Sequence, residues 1–427
     1  MNALQLAEYI RAGKADAKLN ALYGKNLDRQ RKRYADAAEK FASLYGAEKD
    51  AFFFSVPGRS EISGNHTDHN RGKVLAGAID LDIIAVASRT DDGAVRVRSE
   101  GYSEDRVELS DISEPKKENF FKSRGLLAGV LAGLQKNGHE VCSFCAYTTN
   151  DVHKGSGLSS SAAFEVMIGN IENHLANGGK IGNPEIAKIS QFAENVYFGK
   201  PCGLMDQMAC AVGGFVAIDF EDPQNPVIES LDFDLSGHGY SLCIVNTGGN
   251  HADLNEDYAS VPAEMKKIAA YYGKDALRGL TEEQLISDMP VLRKAAGDRA
   301  ILRAMHFVAE NKRVEKQTEA LRRGELDTFF AGVIESGNSS FKYLQNVYTV
   351  KNVEEQGLSL ALCVTEYVTR GWGGAFRVHG GGFAGTIQAF IPTEKVEEYT
   401  NIMNSVFGQN ACAALKVRPE GAILVNL

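Results

Sequence analysis

The stretch Asn150-Asp151-Val152-His153-Lys154-Gly155-Ser156-Gly157-Leu158-Ser159-Ser160-Ser161-Ala162-Ala163 limits the architecture of this chain more than any other. An apolar run from Val141 to Tyr147 precedes it and predicts a strand, and Phe164-Glu165-Val166-Met167-Ile168 follows it and predicts a helix. Two glycines let the backbone approach a ligand closely or take positive φ. Three serines stand at the expected helix start, where hydroxyls cap free backbone N–H groups. A glycine-rich turn feeding a helix N-terminus brings unpaired N–H groups and the positive dipole end to one point, so an anion, phosphate above all, is the expected guest. Taken alone, the loop reads equally as an ordinary serine-capped helix start. Two nucleotide motifs are excluded: the third glycine of a dinucleotide fingerprint is missing, and no Gly-x4-Gly-Lys-Ser/Thr occurs.

At 427 residues the chain exceeds one ordinary core, so two domains are expected. Apolar residues make up 44% and charged residues 24%, the balance of a water-soluble globular protein. A formal net charge of −9 argues against a nucleic-acid partner, which needs a basic face. Met1 to Ala17 carries charges throughout and reads as no secretory signal, and no apolar stretch approaches the ~18 residues of a membrane span. Seven scattered cysteines fit free thiols in a reducing compartment. A cytoplasmic protein, monomeric or weakly oligomeric, is the expectation. Cys142-Ser-Phe-Cys145 has CxxC spacing but lies in a predicted strand, where positions three apart face opposite sides. His66-Thr-Asp-His69 lacks a third ligand. Neither predicts a metal centre.

Leu27 to Tyr45 has apolar or small residues at helical spacing and predicts an amphipathic helix. Ala51 to Val56 predicts a short strand, followed by a polar, glycine-punctuated stretch from Pro57 to Gly72 dense in hydrogen-bonding side chains, as a sugar site needs. Leu81 to Thr90 and Ala94 to Ser99 flank Asp91-Asp92-Gly93, a hairpin signal. Asn183-Pro184 predicts a helix start with Asn as its cap. That helix carries Gln191, Glu194 and Asn195. Asp206 is the one carboxylate in the mostly apolar segment Cys202 to Cys210, and an unpaired buried charge costs several kcal/mol (~). The turns at 222–226 mark the expected domain boundary, giving 1–225 and 226–427. Beyond it, Tyr240 to Asn246 predicts a strand and Asp298 to Arg323 a helix, and Gly380-Gly381-Gly382 reads as a tight turn between strands.

Four stretches, in this order, resemble the galactokinases among the GHMP small-molecule kinases. The galactokinase signature Gly-Arg-Val-Asn-Leu-Ile-Gly-Glu-His-Thr-Asp-Tyr-Asn is similar to Gly58-Arg59-Ser60-Glu61-Ile62-Ser63-Gly64-Asn65-His66-Thr67-Asp68-His69-Asn70. The loop ending Leu158-Ser159-Ser160-Ser161-Ala162-Ala163, the segment Gly203-Leu204-Met205-Asp206-Gln207 and the late Gly380-Gly381-Gly382-Phe383 complete the match. The resemblance implies an α+β GHMP kinase fold: an N-terminal domain like domain 2 of ribosomal protein S5, a C-terminal ferredoxin-like domain, and an active site in the cleft between them. The chain before Arg59 is longer than in many members of the family.

The implied reaction moves the ATP γ-phosphate to the anomeric hydroxyl of a sugar, galactose first. Such transfers need alignment and charge neutralisation more than covalent participation by protein. By resemblance, Gly155, Ser156, Gly157, Leu158, Ser159, Ser160 and Ser161 cradle ATP, and Ser161 and Glu194 serve Mg²⁺, a hard ion that takes oxygen ligands. Asp206 is the candidate base and Arg59 its partner, which would keep the carboxylate ionised. Asn65, His66, Asp68, Gly203 and Tyr258 are the implied sugar contacts. Asn65 departs from the family, whose Glu contacts the C6 hydroxyl. Two like charges ~4 Å apart at an effective dielectric of ~20 cost about 4 kcal/mol. An Asn there would admit a C6 carboxylate, so galacturonate joins galactose as a candidate substrate. Retention of Arg59, Ser161, Glu194 and Asp206 favours turnover over a non-catalytic sugar sensor. A dinucleotide-binding oxidoreductase lacks its fingerprint.

Overall fold

This computed structural model describes every residue except 153–156, 201 and 250–253, and the backbone alone of Lys25. Among the described residues the strands are β1 (Phe52–Ser63), β2 (Lys73–Arg89), β3 (Ala94–Ser99), β4 (Glu104–Glu108), β5 (Phe144–Asn150), β6 (Phe215–Asp219), β7 (Val227–Leu231), β8 (Tyr240–Asn246), β9 (Ala375–Val378), β10 (Thr386–Pro392), β11 (Cys412–Leu415) and β12 (Ile423–Val425). The larger sheet runs β12-β1-β2-β5-β3-β4, with β6 beside β2 and β7 beside β6. The long β2 changes neighbour along its length: Lys73 to Gly77 pair with β6, and Ile83 to Arg89 with β5. The smaller sheet is β11-β8-β10-β9.

Alternating side chains give the larger sheet two apolar faces. Phe53, Ile84, Val86 and Tyr147 pack under the helices Ala3–Arg11, Asp16–Tyr23 and Leu27–Tyr45. Phe54, Val56, Ile83, Ala85, Phe144 and Ala146 pack under Ser123–Lys136, Ser160–Asn177, Asn183–Phe192 and Met205–Val212. The N-terminal helices are also tied down by charge. Asp82, fully buried in β2, accepts from Arg33 at 2.7 Å, from Arg418 at 3.1 Å, and from the hydroxyls of Tyr23 and Ser55. Burial alone would raise the Asp82 carboxyl, but Arg33 and then Arg418 hold it below the usual range. No described helix is long and apolar enough to cross a membrane.

The structure differs from the sequence expectations in several places. The polar signature is not one loop: β1 continues through Ser63, so Arg59 and Glu61 stand on a strand. β2 and β3 form no hairpin, because β5 lies between them, antiparallel to β2 and parallel to β3. β5 is buried at six consecutive residues and so takes a flanked position in the sheet, while β3 pairs outward with β4. β5 also begins at Phe144, three residues after Val141. The cap of the helix Asn183–Phe192 is Gly182, and the Asn183 amide donates to the Ala211 carbonyl instead. Past residue 226 the chain stays in the larger sheet through β7 before it enters the smaller one at β8, and β12 returns to pair with β1.

Candidate active site

Arg59 and Glu61 are two apart on β1 and so share a face. Arg59 is buried, with its Nε 2.8 Å and its Nη2 2.7 Å from Asp206 Oδ1. Its Nη1 donates to the Gly157 carbonyl, and its backbone N–H donates to the Leu158 carbonyl at 3.2 Å. Strand and loop touch so closely that a Cβ on Gly58 would lie 2.7 Å from the Leu158 oxygen. Asp206 is the second residue of the helix Met205–Val212, where the dipole favours an anion. Its other oxygen, Oδ2, accepts the Ser159 hydroxyl. Burial would raise the Asp206 carboxyl; Arg59 and then Ser159 reverse this and hold it below the usual carboxylate range. An ionised Asp206 with 35% of its side chain exposed faces the cavity described next.

That cavity has a volume of about 310 Å³ and is lined by Glu61, Asn65, His66, Asp68, Gly203 and Asp206 among others. His66 has positive φ, and its Nε2 lies 2.9 Å from the Gly381 carbonyl, so Nε2 carries the hydrogen and Nδ1 is left as an acceptor. Burial lowers this imidazole to about 4, so it is neutral at pH 7. Gly203 abuts Asp68: a Cβ at 203 would overlap Asp68 Oδ2. The turn after β1 is pinned from behind, with Gly64 N donating to Glu310 at 2.9 Å and His306 bonded to the Asn65 carbonyl at 3.0 Å. Burial would raise Glu310, but Arg313, His306 and Arg377 bring it down to about 2.

Asn65 is fully buried and its amide is spent on protein. Its Nδ2 donates to Glu61 Oε1 and to the Gly380 carbonyl, each at 2.7 Å, and its Oδ1 accepts from Asn346 at 2.6 Å and from Ser340 at 3.4 Å. Tyr258 is not among the residues that line the cavity. Its hydroxyl donates to the Gly382 carbonyl at 2.8 Å and its ring meets Phe383 edge-on at 5.3 Å, which braces the glycine turn.

Ser160 and Ser161 form the first turn of the helix Ser160–Asn177, and Ser159 is its N-cap with positive φ. The serine hydroxyls were expected to cap that helix. Ser159 makes no cap bond, because its hydroxyl goes to Asp206. Gly155 and Ser156 lie outside the described residues. Glu194 sits in the π-turn Ala193–Phe198, a local widening that carries its buried carboxylate to Lys200 at 3.1 Å and Gln207 at 2.8 Å. Gln207 also donates to Glu165 at 3.1 Å. Glu165 Oε1 and Gln207 Oε1 are buried without a partner among the described residues. These oxygen donors beside Ser161 suit a hard divalent cation that takes its remaining ligands from phosphate and water.

Sequence reasoning missed Glu61, Glu165 and Gln207 as site residues. The signal for Glu61 was its two-residue spacing from Arg59 on a strand, and for Glu165 its i+4 spacing from Ser161 on a helix. His379 was missed too. It is buried, and its Nδ1 would lie 3.3 Å from a Cβ on Gly157, so the smaller sheet touches the phosphate loop.

Comparison with known proteins agrees with this geometry. Residues 39–89 match the galactokinase galactose-binding signature, and residues 125–214 match the GHMP kinases N terminal domain. A galactokinase of Streptomyces coelicolor is 33% identical over 385 residues, covering 88% of this chain and 93% of that one. A galactokinase of Actinobacillus pleuropneumoniae is 32% identical over 375 residues, covering 86% and 92%. Among solved structures, Lactococcus lactis galactokinase complexed with galactose superposes with a TM-score of 0.75 at 22% identity, covering 90% of this chain and 98% of that one. A mevalonate kinase has the same fold at a TM-score of 0.60 and 14% identity, covering 85% and 98%. The strand-borne signature falls within the first family match and the serine loop within the second, and the chain belongs to the galactokinase family of the GHMP kinases.

Proposed function

We propose that this protein is an ATP-dependent sugar 1-kinase that converts galactose and ATP to galactose 1-phosphate and ADP. The observation that carries the reading is the junction at Asp206. Arg59 from the sugar strand and Ser159 from the phosphate loop hold the same carboxylate, which faces the cavity. An ionised carboxylate so placed takes or orients the proton of the C1 hydroxyl as that oxygen attacks the γ-phosphorus. Arg59 steadies charge on the moving phosphoryl group. Ser161 and Glu194 are the residues that would hold Mg²⁺, which when bound neutralises the phosphates. His66 Nδ1, Asp68 and the bare backbone of Gly203 are the sugar-facing groups. A cytoplasmic setting suits the seven free cysteines.

The test is ADP release with galactose, galacturonate and N-acetylgalactosamine, for the wild type and for Asp206→Asn. The expected result is turnover of galactose by the wild type and a loss of ~10³-fold or more in the variant, with sugar and nucleotide still bound. Bound sugar and nucleotide without ADP release from the wild type would make the protein a sensor. Near-normal turnover by Asp206→Asn would remove Asp206 from its role.

A further inference from the structure

We infer that Glu61, rather than Asn65, decides which C6 substituents the sugar cavity admits. This rests on the sugar-kinase reading above and sharpens its substrate class. In the galactokinase signature an Asn stands two residues after the Arg and a Glu six residues after it. Here the two types are exchanged: Glu61 follows Arg59 by two, and Asn65 follows it by six. The exchanged side chains touch, with Asn65 Nδ2 donating to Glu61 Oε1 at 2.7 Å. At these two positions the cavity therefore keeps one carboxylate and one amide, in reversed order.

The hydrogen bonds decide which of the two meets the sugar. Asn65 is fully buried, and both its amide hydrogens and its oxygen are committed to protein partners. Glu61 lines the cavity, is 6% exposed, and uses only Oε1. Its Oε2 has no partner among the described residues and is the free acceptor on that wall. Glu61 points the same way as Arg59 one strand repeat on, ~6.8 Å along β1, so one cavity of the size of a hexopyranose runs from the Arg59–Asp206 pair to Glu61. With C1 at Asp206, the C6 group falls at Glu61. A C6 hydroxyl donates to the free oxygen. A 6-deoxy sugar leaves that buried acceptor unmatched, and sites built to bond a hydroxyl discriminate strongly against its absence. A C6 carboxylate would stand against the Glu61 carboxyl, and two acids in contact cannot both ionise cheaply. The opening that Asn65 would give to galacturonate is closed by its neighbour.

The experiment compares kcat/KM for galactose, 6-deoxygalactose and galacturonate in the wild type, in Glu61→Gln and in the exchange Glu61→Asn with Asn65→Glu. Thermal melting and binding of a non-hydrolysable ATP analogue check that each is folded. The wild type should prefer galactose over galacturonate by at least ~100-fold. Glu61→Gln should shrink that ratio at least ~10-fold, because the amide keeps the shape and loses the charge. The double exchange should restore the ratio to within about threefold of wild type, and it carries the test should Glu61→Gln fail to fold. Galacturonate turnover within tenfold of galactose in the wild type, an unchanged ratio in Glu61→Gln, or a lost preference in the double exchange would each overturn the inference. Absence of ADP release with any sugar strikes the kinase reading instead.

Discussion

Ser159 donates its hydroxyl to Asp206, across 47 residues of chain, while its own helix begins without a side-chain cap. The serine loop and the Asp206 carboxylate are thus one hydrogen-bonded unit. Arg59 completes it by reaching both the Asp206 carboxylate and the Gly157 carbonyl.

Ser159→Ala removes one of the three groups, Arg59, Ser159 and Lys200, that hold Asp206 below its usual range, so the Asp206 pKa rises. The acid limb of the kcat/KM–pH profile should move to higher pH, and kcat/KM at neutral pH should fall by roughly 10–100-fold, the worth of a hydrogen bond to a charged group. Steady-state rates between pH 4 and 8 check this, and an unmoved acid limb would mean that Ser159 only shapes the loop.

Gly203→Ala places a methyl group where Asp68 Oδ2 now sits. Asp68 must swing away, and the sugar loses that contact. The expected result is a KM for galactose raised about tenfold or more, with the KM for ATP changed less than about twofold. Equal effects on both constants would count against a sugar-side role for Asp68.

Asp82→Asn leaves Arg418 without its carboxylate partner in the core, although Arg33 keeps Asp151 at 3.1 Å. Breaking a buried pair from one side costs about 3–5 kcal/mol. Urea unfolding should show that loss. Hydrogen exchange should rise first in the helices Asp16–Tyr23 and Leu27–Tyr45, which reach Asp82 through Tyr23 and Arg33.

Glu172 is fully buried, accepts from the Cys142 N–H at 3.0 Å and from the Cys142 thiol, and is pushed by burial up to about 8. Its folded pKa lies above its unfolded value, so its contribution is whole below about pH 4 and is lost as pH rises through about 8. The wild type should lose melting temperature between pH 4 and 8, and Glu172→Gln should lose less and be the more stable protein at pH 9. Parallel melting curves for the two proteins would contradict this.

Three elements were legible in the sequence to the residue. The helices Leu27–Tyr45 and Asp298–Arg323 and the strand Tyr240–Asn246 have the bounds that their apolar spacing predicted. Local pattern reports burial, and burial set those elements. It does not report partners. Nothing within 81–99 reveals that β5, some fifty residues later, inserts between β2 and β3. The candidate site divides the same way. That Asp206 needs a partner was legible from its apolar setting, and that the partner is Arg59 followed only from the family resemblance. The commitment of Asn65 to Glu61, Gly380 and Asn346 was not, because two of those partners come from the far end of the chain.

The pairing of β12 with β1 has a consequence for how this chain is made. The strand that bears Arg59 and Glu61 is synthesised early, but its outer neighbour lies more than three hundred and fifty residues downstream. On the ribosome that edge of the sheet stays open until nearly all of the polypeptide has emerged. The segment Phe53–Ser55, just upstream of the pocket residues on the same strand, is therefore among the last edges to be paired, and a nascent chain stalled before residue 423 presents it to chaperones as an unpaired strand.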